Sequence, residues 1–474
     1  MRVSRREVIA GAGAAVGATA TSTSGCAPEP GDSAETATAP VASIDHVIVV
    51  MMENRSFDHF LGALTLAEGR TDVDGLTTSM SNPDGEGTPV VPYPNEIPCV
   101  GDPGHSWGNS HDQFNDGAND HFVTNYGGPE VMQYMQRADL PIYYALADNF
   151  TVCDKYFCSV MGPTWPNRFY GHCGTSLGMT SNDFPPDGSY VIPNVWEQLT
   201  AKGVAWGYYF TDLPFVFLID GVYQPDSPRF IEDFVADCEA GTLPAVCWVD
   251  PAFGFNDDHP PHHVAMGQEF VAAIYKALST SPLWDKCLLI ITYDEHGGFH
   301  DHVPPPKTDD DYVADGFDQL GFRVPVLTVG PWVKQGVCNT TFDHTSWQKF
   351  ICDKYEIEPW TKRIAAANSI AEVLDQDRMD RYEPLPPVEL PAFDYEDESL
   401  PNECTLGGIF GPPPPAPAKR SMPSIPKTFP ALPEVWQHLF AAAYPEDTRV
   451  PDGPRIAQWI RDYVRGQPTF RFRR

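Results

Sequence analysis

Two stretches of the chain carry an apolar run directly into side chains that can bind a cation. In "VIVVMMENRSFDHFLG" the run is followed by Glu53 and Asn54, and in "CLLIITYDEHGGFHDHVPPP" by Asp294 and Glu295. Either pair alone is also typical of a helix N-cap. Three carboxylates and an amide oxygen brought together would repel one another unless a cation neutralised them, and such oxygen ligands favour hard divalent metals. Taken together, the two stretches predict a divalent metal site.

A hydroxyl nucleophile is offered by the stretch "SVMGPTWPNRFYGHCGTS". Pro166 suits the first turn of a helix, which would put Thr164 at or just before the N-cap. There a hydroxyl meets free backbone N–H groups and the positive end of the helix dipole, where a phosphate binds well. A neighbouring metal would lower the pKa of the hydroxyl and make it an attacking group. The alternative is that Thr164 only caps the helix.

Histidines are concentrated in the loops around these stretches. They can bind phosphoryl oxygens or protonate a leaving group, although a single loop histidine is usually solvated. Nine of the 14 histidines fall into three short segments rich in Gly, Pro and Asp, namely His105, His111, His121, His259, His262, His263, His296, His300 and His302.

The elements that must position these residues alternate between apolar strands and amphipathic helices. Nearly continuous apolar runs of this length are typical of strands buried on both faces, and the alternation predicts an α/β sandwich with a mainly parallel sheet. Functional groups then gather at the carboxyl ends of the strands. Helices are predicted over 264–279 and 343–355, and long loops over 76–128 and 297–322. The predicted strands are 46–52, 204–210, 245–249, 287–292 and 324–329.

The N-terminal residues 1–25 have the pattern of an export signal. Arg5 and Arg6 precede a weakly apolar stretch and small residues, which resembles a twin-arginine (Tat) signal. The apolar run is too short and interrupted to span a bilayer. Cys26 stands where a lipoprotein would be lipidated, although Thr23 replaces the usual Leu. Residues 26–43 are predicted to be a disordered linker. We expect a periplasmic, cell-surface or extracellular protein.

Residues 44–400 are predicted to form the catalytic domain, and 401–474 a Pro-rich segment with a small helical appendage. The net charge of the 474 residues is −33, which makes nucleic-acid binding through phosphate neutralisation improbable. Ten cysteines follow Cys26, and an even number in an exported protein predicts some disulfides. No CxxC pair occurs, so a zinc ribbon is not expected. The oligomeric state cannot be deduced.

Four motifs carry a family resemblance: "MMENRSFDHFLG", "GPTWPNRFY", "DDHP" and "YDEHGGFHDHVPPP" occur in the order seen in bacterial phosphoesterases, the non-haemolytic phospholipases C and related acid phosphatases. That family is similar in fold to alkaline phosphatases and arylsulfatases, which implies a three-layer sandwich with flanking helices. The resemblance implies metal ligands Glu53, Asn54, Asp294 and Glu295, a Thr164 nucleophile, phosphoryl contacts from His111 and His259, and further substrate contacts from Asn167, Asp258, His296, His302 and His105.

The sequence therefore predicts an exported, metal-dependent phosphoesterase that hydrolyses diesters such as phospholipid head groups. An acid phosphatase acting on monoesters is the closest alternative, and a non-catalytic surface lipoprotein that binds phosphorylated ligands is the alternative of another class. A lipid anchor would bring the enzyme to a membrane surface. Aromatic residues could hold a choline group through cation–π contacts, or they could be loop packing. These residues are Trp107, Trp165, Phe169, Tyr170, Tyr208 and Tyr209.

Overall fold

A computed structural model describes residues 42–96, 100–183, 190–212, 214–222, 227–253 and 255–392. The predicted export signal, the lipidation site at Cys26, the linker up to residue 41 and the C-terminal appendage lie outside these residues. Among the described helices, none combines the length and apolar character needed to cross a bilayer.

Twelve strands and twelve α-helices make up the described part of the chain. The strands are β1 His46–Met52, β2 Asn82–Pro83, β3 Pro89–Val90, β4 Tyr93–Pro94, β5 Gln133–Tyr134, β6 Thr151–Cys153, β7 Trp206–Phe210, β8 Arg229–Phe230, β9 Val246–Asp250, β10 Cys287–Tyr293, β11 Leu327–Val329 and β12 Gly336–Cys338. The helices are α1 Phe57–Leu61, α2 Ala63–Leu66, α3 Trp107–Phe114, α4 Phe122–Tyr126, α5 Pro141–Asn149, α6 Thr164–Cys173, α7 Val195–Ala201, α8 Ile231–Ala240, α9 Val264–Ser279, α10 Ser346–Tyr355, α11 Lys362–Ala366 and α12 Gln376–Arg381. Short 3₁₀ helices cover Asn115–Gly117, Pro129–Met132, Phe215–Leu218, Trp284–Lys286, Val313–Asp315 and Ile370–Val373.

Eight of the strands form one sheet in the order β12-β6-β11-β10-β1-β9-β7-β8. Strand β11 runs antiparallel to both of its neighbours, and the other adjacent pairs are parallel. The central strands β1 and β10 are almost wholly buried, which their continuous apolar runs require. The predicted α/β architecture with a mainly parallel sheet is therefore confirmed.

Helices cover both faces of this sheet. On one face Gly171 of α6 packs closely against the side chains of Met51 and Trp248. A Cβ at Gly171 would lie 3.4 Å and 3.2 Å from them. Tyr293 lies opposite Met52 in the register of β1 and β10, so its side chain points to the other face. There its hydroxyl contacts Tyr143 of α5 at 2.6 Å. This arrangement gives the three layers that the family resemblance implied.

The predicted elements agree best where the apolar pattern is long. Strand β1 and helix α9 have the predicted bounds, and β10 extends one residue further than predicted. The predicted strand 324–329 is shorter, as Leu327–Val329. The predicted loop 76–128 contains the helices α3 and α4. They were not predicted because Gly and Asp are frequent in this part of the sequence.

The prediction of disulfides is wrong for the described cysteines. All eight are free thiols, and each is buried in the core beside the sheet or its covering helices. They are Cys153, Cys158, Cys173, Cys238, Cys247, Cys287, Cys338 and Cys352. Their packing is that of small apolar side chains. Cys99 and Cys404 lie outside the described residues.

Candidate active site

The ends of β1 and β10 bring the first two motifs together. The strands are parallel neighbours, and Met52 pairs with Tyr293, so that Glu53 and Asp294 follow at the same level of the sheet. The Oδ1 atom of Asp294 accepts hydrogen bonds from the backbone N–H groups of Asn54, at 3.1 Å, and Glu295, at 2.7 Å. We call Glu53, Asn54, Asp294 and Glu295 the strand-end cluster.

A tight backbone contact holds the two strand ends in place. Asn54 adopts a left-handed conformation with φ 61°, and Gly297 has the same φ. A Cβ at Gly297 would lie 2.3 Å from the carbonyl oxygen of Asn54, so only glycine permits this approach. The backbone N–H of Arg55 also donates to the carbonyl of Glu295 at 3.1 Å. The two motifs therefore form one rigid unit.

Several oxygens of the strand-end cluster are buried without a hydrogen bond. They are Oδ1 of Asn54, Oδ2 of Asp294 and both carboxylate oxygens of Glu295. Burial raises the pKa of Glu53 and of Glu295 well above the usual value, and the charge of Asp294 adds to both shifts. Burial also raises the pKa of Asp294. Unpaired buried oxygens of this kind are costly in free energy unless a positive charge satisfies them.

Arg168 supplies part of that charge. Its guanidinium lies 3.5 Å from both Glu53 and Asp294, and 3.1 Å from the buried carboxylate of Asp250. It also donates to the carbonyl groups that end β1. One guanidinium faces several carboxylates and makes no ion pair with Glu295 in the part of the chain that is described. The remaining oxygens thus fit a hard divalent cation.

The three carboxylates of the strand-end cluster are not gathered tightly. Within the described residues, two other groups have ligand atoms that all lie within 4.8 Å of one another: Asp102 with His105 and His259, and Asp58 with Asp301 and His302. Arg168 contacts two of the three strand-end carboxylates. The predicted ligand roles of the strand-end cluster stay predictions.

Thr164 is the first residue of α6 and follows Pro163. Its hydroxyl has no hydrogen-bond partner within the described chain, so it is not used to cap the helix. Thr164 and Arg168 are four residues apart and share one face of α6, and Arg168 reaches the strand-end carboxylates. Thr164 therefore lies on the face of α6 that meets the strand-end cluster, and the N–H of the next residue, Trp165, donates to Oδ1 of Asn182 at 2.8 Å.

Asn167 fixes the loop before Thr164. Its Oδ1 accepts from the N–H of Val160 at 3.0 Å, and its Nδ2 donates to the carbonyl of Gly162 at 2.9 Å. The side chain is fully buried. Asn167 was predicted to contact substrate, but these bonds use its amide to shape the turn that presents the nucleophile.

Two of the predicted histidines lie next to the strand-end cluster. The Nε2 atom of His105 accepts from Asn54 Nδ2 at 3.3 Å and lies 3.9 Å from Oε1 of Glu295. Its Nδ1 donates to the carbonyl of Pro103 at 2.7 Å. His259 packs edge-on to His105, with the ring centroids 5.5 Å apart, and its Nδ1 donates to the carbonyl of Pro260. The Nε2 atom of each ring therefore carries a lone pair, and that of His105 is used by the bond from Asn54.

Two further histidines support the Asp294–Glu295 end. His296 donates from Nε2 to Oε1 of Gln113 at 2.8 Å, and its Nδ1 lies 3.7 Å from Oε2 of Glu295. His344 donates from Nε2 to the carbonyl oxygen of Asp294 at 2.6 Å, and burial lowers the pKa of His344 to about 4. Sequence reasoning missed His344, because a single histidine at the start of the predicted helix 343–355 has no neighbouring motif.

His111 and His302 do not contact the strand-end cluster within the described structure. The ring of His111 contacts that of Trp107 at a tilt of 32°, with the centroids 4.5 Å apart, and Trp107 packs against Gly162, two residues before Thr164. His302 lies 2.8 Å from Asp58. We call Asp58, Asp301, His302 and Arg323 the Asp58 cluster. His111 is thus near the nucleophile turn, whereas His302 belongs to a separate ion-pair group.

The aromatic residues proposed for choline binding are mostly core packing. Tyr208 donates its hydroxyl to Asp250, Tyr209 to Asp237 and Tyr170 to Asp310. These three rings and that of Phe169 are fully buried. Strand alternation and helix packing place them inside the molecule, so they cannot form a choline pocket, and that interpretation is wrong for these four residues.

Comparison with known proteins agrees with the motif order. The model of the Phosphoesterase family matches residues 44–358. The chain is similar to non-specific phospholipase C1 of Arabidopsis thaliana, with 33% identity over 73% of this chain and 74% of that protein. It is also similar to phospholipase C B of Mycobacterium tuberculosis, with 32% identity over 67% of this chain and 74% of the relative. Non-hemolytic phospholipase C of Burkholderia pseudomallei is 30% identical over 69% of this chain and 58% of its own length.

Similar solved structures include murine ectonucleotide pyrophosphatase/phosphodiesterase 5, with 11% identity and a TM-score of 0.37 over 70% of this chain and 100% of that one. A protein of the alkaline phosphatase superfamily from Vibrio parahaemolyticus has 8% identity and a TM-score of 0.36 over 69% of this chain and 70% of that one. TM-scores below 0.5 add no weight to the architecture, which rests on the sheet order and the covering helices.

Proposed function

Because the chain belongs to the Phosphoesterase family and is a phosphoric ester hydrolase, we propose that it cleaves phosphodiesters with Thr164 as the nucleophile and with a divalent metal at the strand-end cluster. The observation that carries this proposal is the set of buried oxygens without a hydrogen bond on Asn54, Asp294 and Glu295. Helix α6, whose Arg168 reaches this cluster, begins with a hydroxyl that has no hydrogen-bond partner in the described chain.

Glu53, Asn54, Asp294 and Glu295 would hold the metal, which when bound supplies positive charge beside the hydroxyl and the phosphoryl oxygens. The start of α6 brings the positive end of the helix dipole toward the developing negative charge. Asn167 keeps the preceding turn in shape, so the hydroxyl is presented in one orientation. These residues act by positioning and by fixed charge.

The reaction is a two-step transfer. The Oγ1 atom of Thr164 bonds to phosphorus as the bond from phosphorus to the leaving alcohol breaks. We assign the hydroxyl proton to Nε2 of His259, which returns it to the leaving oxygen. His259, once it carries this proton, also contacts the phosphoryl oxygens, together with His111. Water then attacks the phosphothreonine, which releases the phosphomonoester and restores the hydroxyl.

Phospholipids are the proposed substrate class. Three of the similar proteins are named phospholipases C, and a diester carries one negative charge where a monoester carries up to two. Near the strand-end cluster Arg168 is already paired with carboxylates, so a singly charged substrate suits the site better.

We also propose export through the N-terminal Tat-type signal, with lipidation of Cys26 holding the enzyme at a membrane. Export is tested by the amount of enzyme found outside the cytoplasm, whether membrane-bound or released, in the unmodified protein and in a variant with Arg5→Lys and Arg6→Lys.

One experiment tests the proposed activity. We compare kcat/KM for p-nitrophenyl phosphate, p-nitrophenylphosphorylcholine and phosphatidylcholine vesicles, with and without a chelator. We expect diesters to be preferred and the chelator to abolish turnover. A tenfold preference for the monoester, about 1.4 kcal/mol in the barrier, would identify an acid phosphatase instead.

A matched pair of variants tests the nucleophile. Thr164→Ala should abolish turnover and keep the metal content, whereas Thr124→Ala removes an exposed hydroxyl that only bonds the carbonyl of His121 and should leave turnover unchanged. Turnover of Thr164→Ala within tenfold of the unmodified enzyme would mean that water attacks phosphorus directly.

A further inference from the structure

Three bonds fasten the loop that carries His259 to both motif strands. The N–H of Glu53 donates to the carbonyl oxygen of Asp257 at 2.7 Å. The Nε atom of Arg55 donates to the carbonyl oxygen of Asp258 at 2.7 Å. The third bond comes from Tyr293, whose hydroxyl donates to Oδ2 of Asp258 at 2.6 Å. The two residues flanking Asn54, and the residue before Asp294, are thus all tied to this loop.

Asp258 links these hydrogen bonds to the position of the next residue, His259. Its backbone is left-handed, with φ 73°, a conformation that a non-glycine residue holds only when its surroundings impose it. The carboxylate is fully buried against Gly267, where a Cβ would lie 2.0 Å from Oδ1. Asp258 therefore faces the protein interior and does not contact substrate, contrary to the sequence-based interpretation.

The tyrosine bond is itself supported from the neighbouring layer. The hydroxyl of Tyr143, on α5, lies 2.6 Å from the hydroxyl of Tyr293 and 3.5 Å from Oδ2 of Asp258. All three side chains are buried. A buried chain of hydrogen bonds like this fixes one geometry, because breaking any member leaves a buried polar group unpaired.

We propose that Tyr293 and Tyr143 are positioning residues that set the place of the His259 ring relative to the strand-end cluster, acting through the side chain of Asp258. The inference rests on the proposed contact of His259 with the phosphoryl group. Tyr293 occupies the position directly before Asp294, so one residue links the predicted metal ligands and the histidine loop. The tyrosines neither bind the metal nor touch the substrate.

A double-mutant cycle in the full chain tests this inference. Tyr293→Phe should lower kcat/KM, and the affinity for inorganic phosphate measured by calorimetry, each about tenfold, with metal content unchanged. In a His259→Ala background the same change should alter both quantities less than twofold, because its effect acts through the missing ring. Tyr144→Phe is the control, since this buried neighbour on α5 bonds only the carbonyl of Met135.

The inference would be overturned if the fold-losses of Tyr293→Phe and His259→Ala simply multiplied in the double variant. It would also be overturned if Tyr293→Phe kept full activity and full phosphate affinity. If Tyr293→Phe does not fold, Tyr143→Phe takes its place, with an expected loss of about threefold and the same dependence on His259. The phosphate measurement decides the inference even if no phosphoester is hydrolysed, so its failure is distinct from failure of the proposed function.

Discussion

The strand-end cluster and the Asp58 cluster consist of similar groups and differ in how those groups are paired. In the Asp58 cluster, Oδ1 of Asp58 accepts from Arg323 at 3.0 Å and Oδ2 accepts from His302 at 2.8 Å. Asp301 accepts from Nε of Arg323 at 2.8 Å. In the strand-end cluster, both oxygens of Glu295 lack a hydrogen bond. One buried acidic group is satisfied by the protein, and the other is not.

The pKa values of Asp58 and Glu295 are shifted in opposite directions. Burial acts to raise the pKa of Asp58, but the charges of His302 and Arg323 outweigh it and hold the pKa at about 2. Burial and the charges of Asp294 and Glu53 raise the pKa of Glu295 well above its usual value. The protein thus stabilises the charged form of Asp58 and not that of Glu295, which agrees with the cation proposed for the strand-end cluster.

The largest expected effect comes from a substitution that breaks the ion pairs of the Asp58 cluster. Arg323→Met removes the cation that pairs with Asp58 and Asp301 and leaves two buried carboxylates without it. We expect a loss of about 3–5 kcal/mol in the free energy of unfolding. Urea unfolding measures it, with Arg381→Met, an exposed ion pair, as the control. A loss below 1 kcal/mol would mean that the Asp58 cluster does not hold the fold.

The second prediction concerns the unsatisfied cluster. Glu295→Gln keeps the shape and removes one buried charge, so metal content should fall and kcat/KM should drop on the order of 10²–10³-fold. Stability without metal should be unchanged or higher, because repulsion with Asp294 is relieved. Elemental analysis and thermal unfolding check both results. Full metal occupancy in the variant, or a large loss of stability, would contradict the contrast between the two clusters.

The third prediction concerns the pH dependence of the free energy of unfolding that arises from the Asp58 cluster. Burial acts to lower the pKa of His302, yet the charge of Asp58 outweighs it and raises the pKa from 6.5 to about 8. The folded state binds this proton more tightly, so the stabilisation is fully present below pH 6.5 and is lost as the pH rises through 8. Its size is about 2 kcal/mol.

Unfolding by urea between pH 6 and pH 9.5 measures this loss. His302→Asn should remove about 2 kcal/mol of the pH-dependent change, while His121→Asn, whose ring is an exposed partner of Asp112, should not alter the profile. Identical pH profiles for the His302 variant and the unmodified protein would show that the Asp58 pair does not depend on a charged imidazole.

Sequence patterns predicted the parts of this comparison unevenly. The apolar runs before Glu53 and Asp294 were long enough to give both strands and to bring the two motifs to one edge of the sheet. The same patterns could not separate His302 from His296, since both lie in one histidine-rich segment. Only the fold shows that one faces Asp58 and the other Glu295. The positioning role of Tyr293 depends on contacts between layers and leaves no mark in the local sequence.

The smallest expected effect is at Asp102, an exposed partner of His105. Its carboxylate is 47% exposed and lies 3.4 Å from Nδ1 of His105, so water competes with the pair and its contribution should be about 0–1 kcal/mol. Asp102→Asn should lower kcat/KM less than about fivefold without changing metal content. Asp112→Asn, which removes the matching exposed partner of His121, is the control.

A larger loss of kcat/KM in Asp102→Asn, accompanied by loss of metal, would contradict this expectation. Asp102, His105 and His259 bring ligand atoms within 4.8 Å of one another, and a strong effect would mean that these three side chains also hold a cation. Because Asp102 is exposed while Glu295 is fully buried, the two substitutions together measure how far burial, rather than residue type, makes a carboxylate depend on metal.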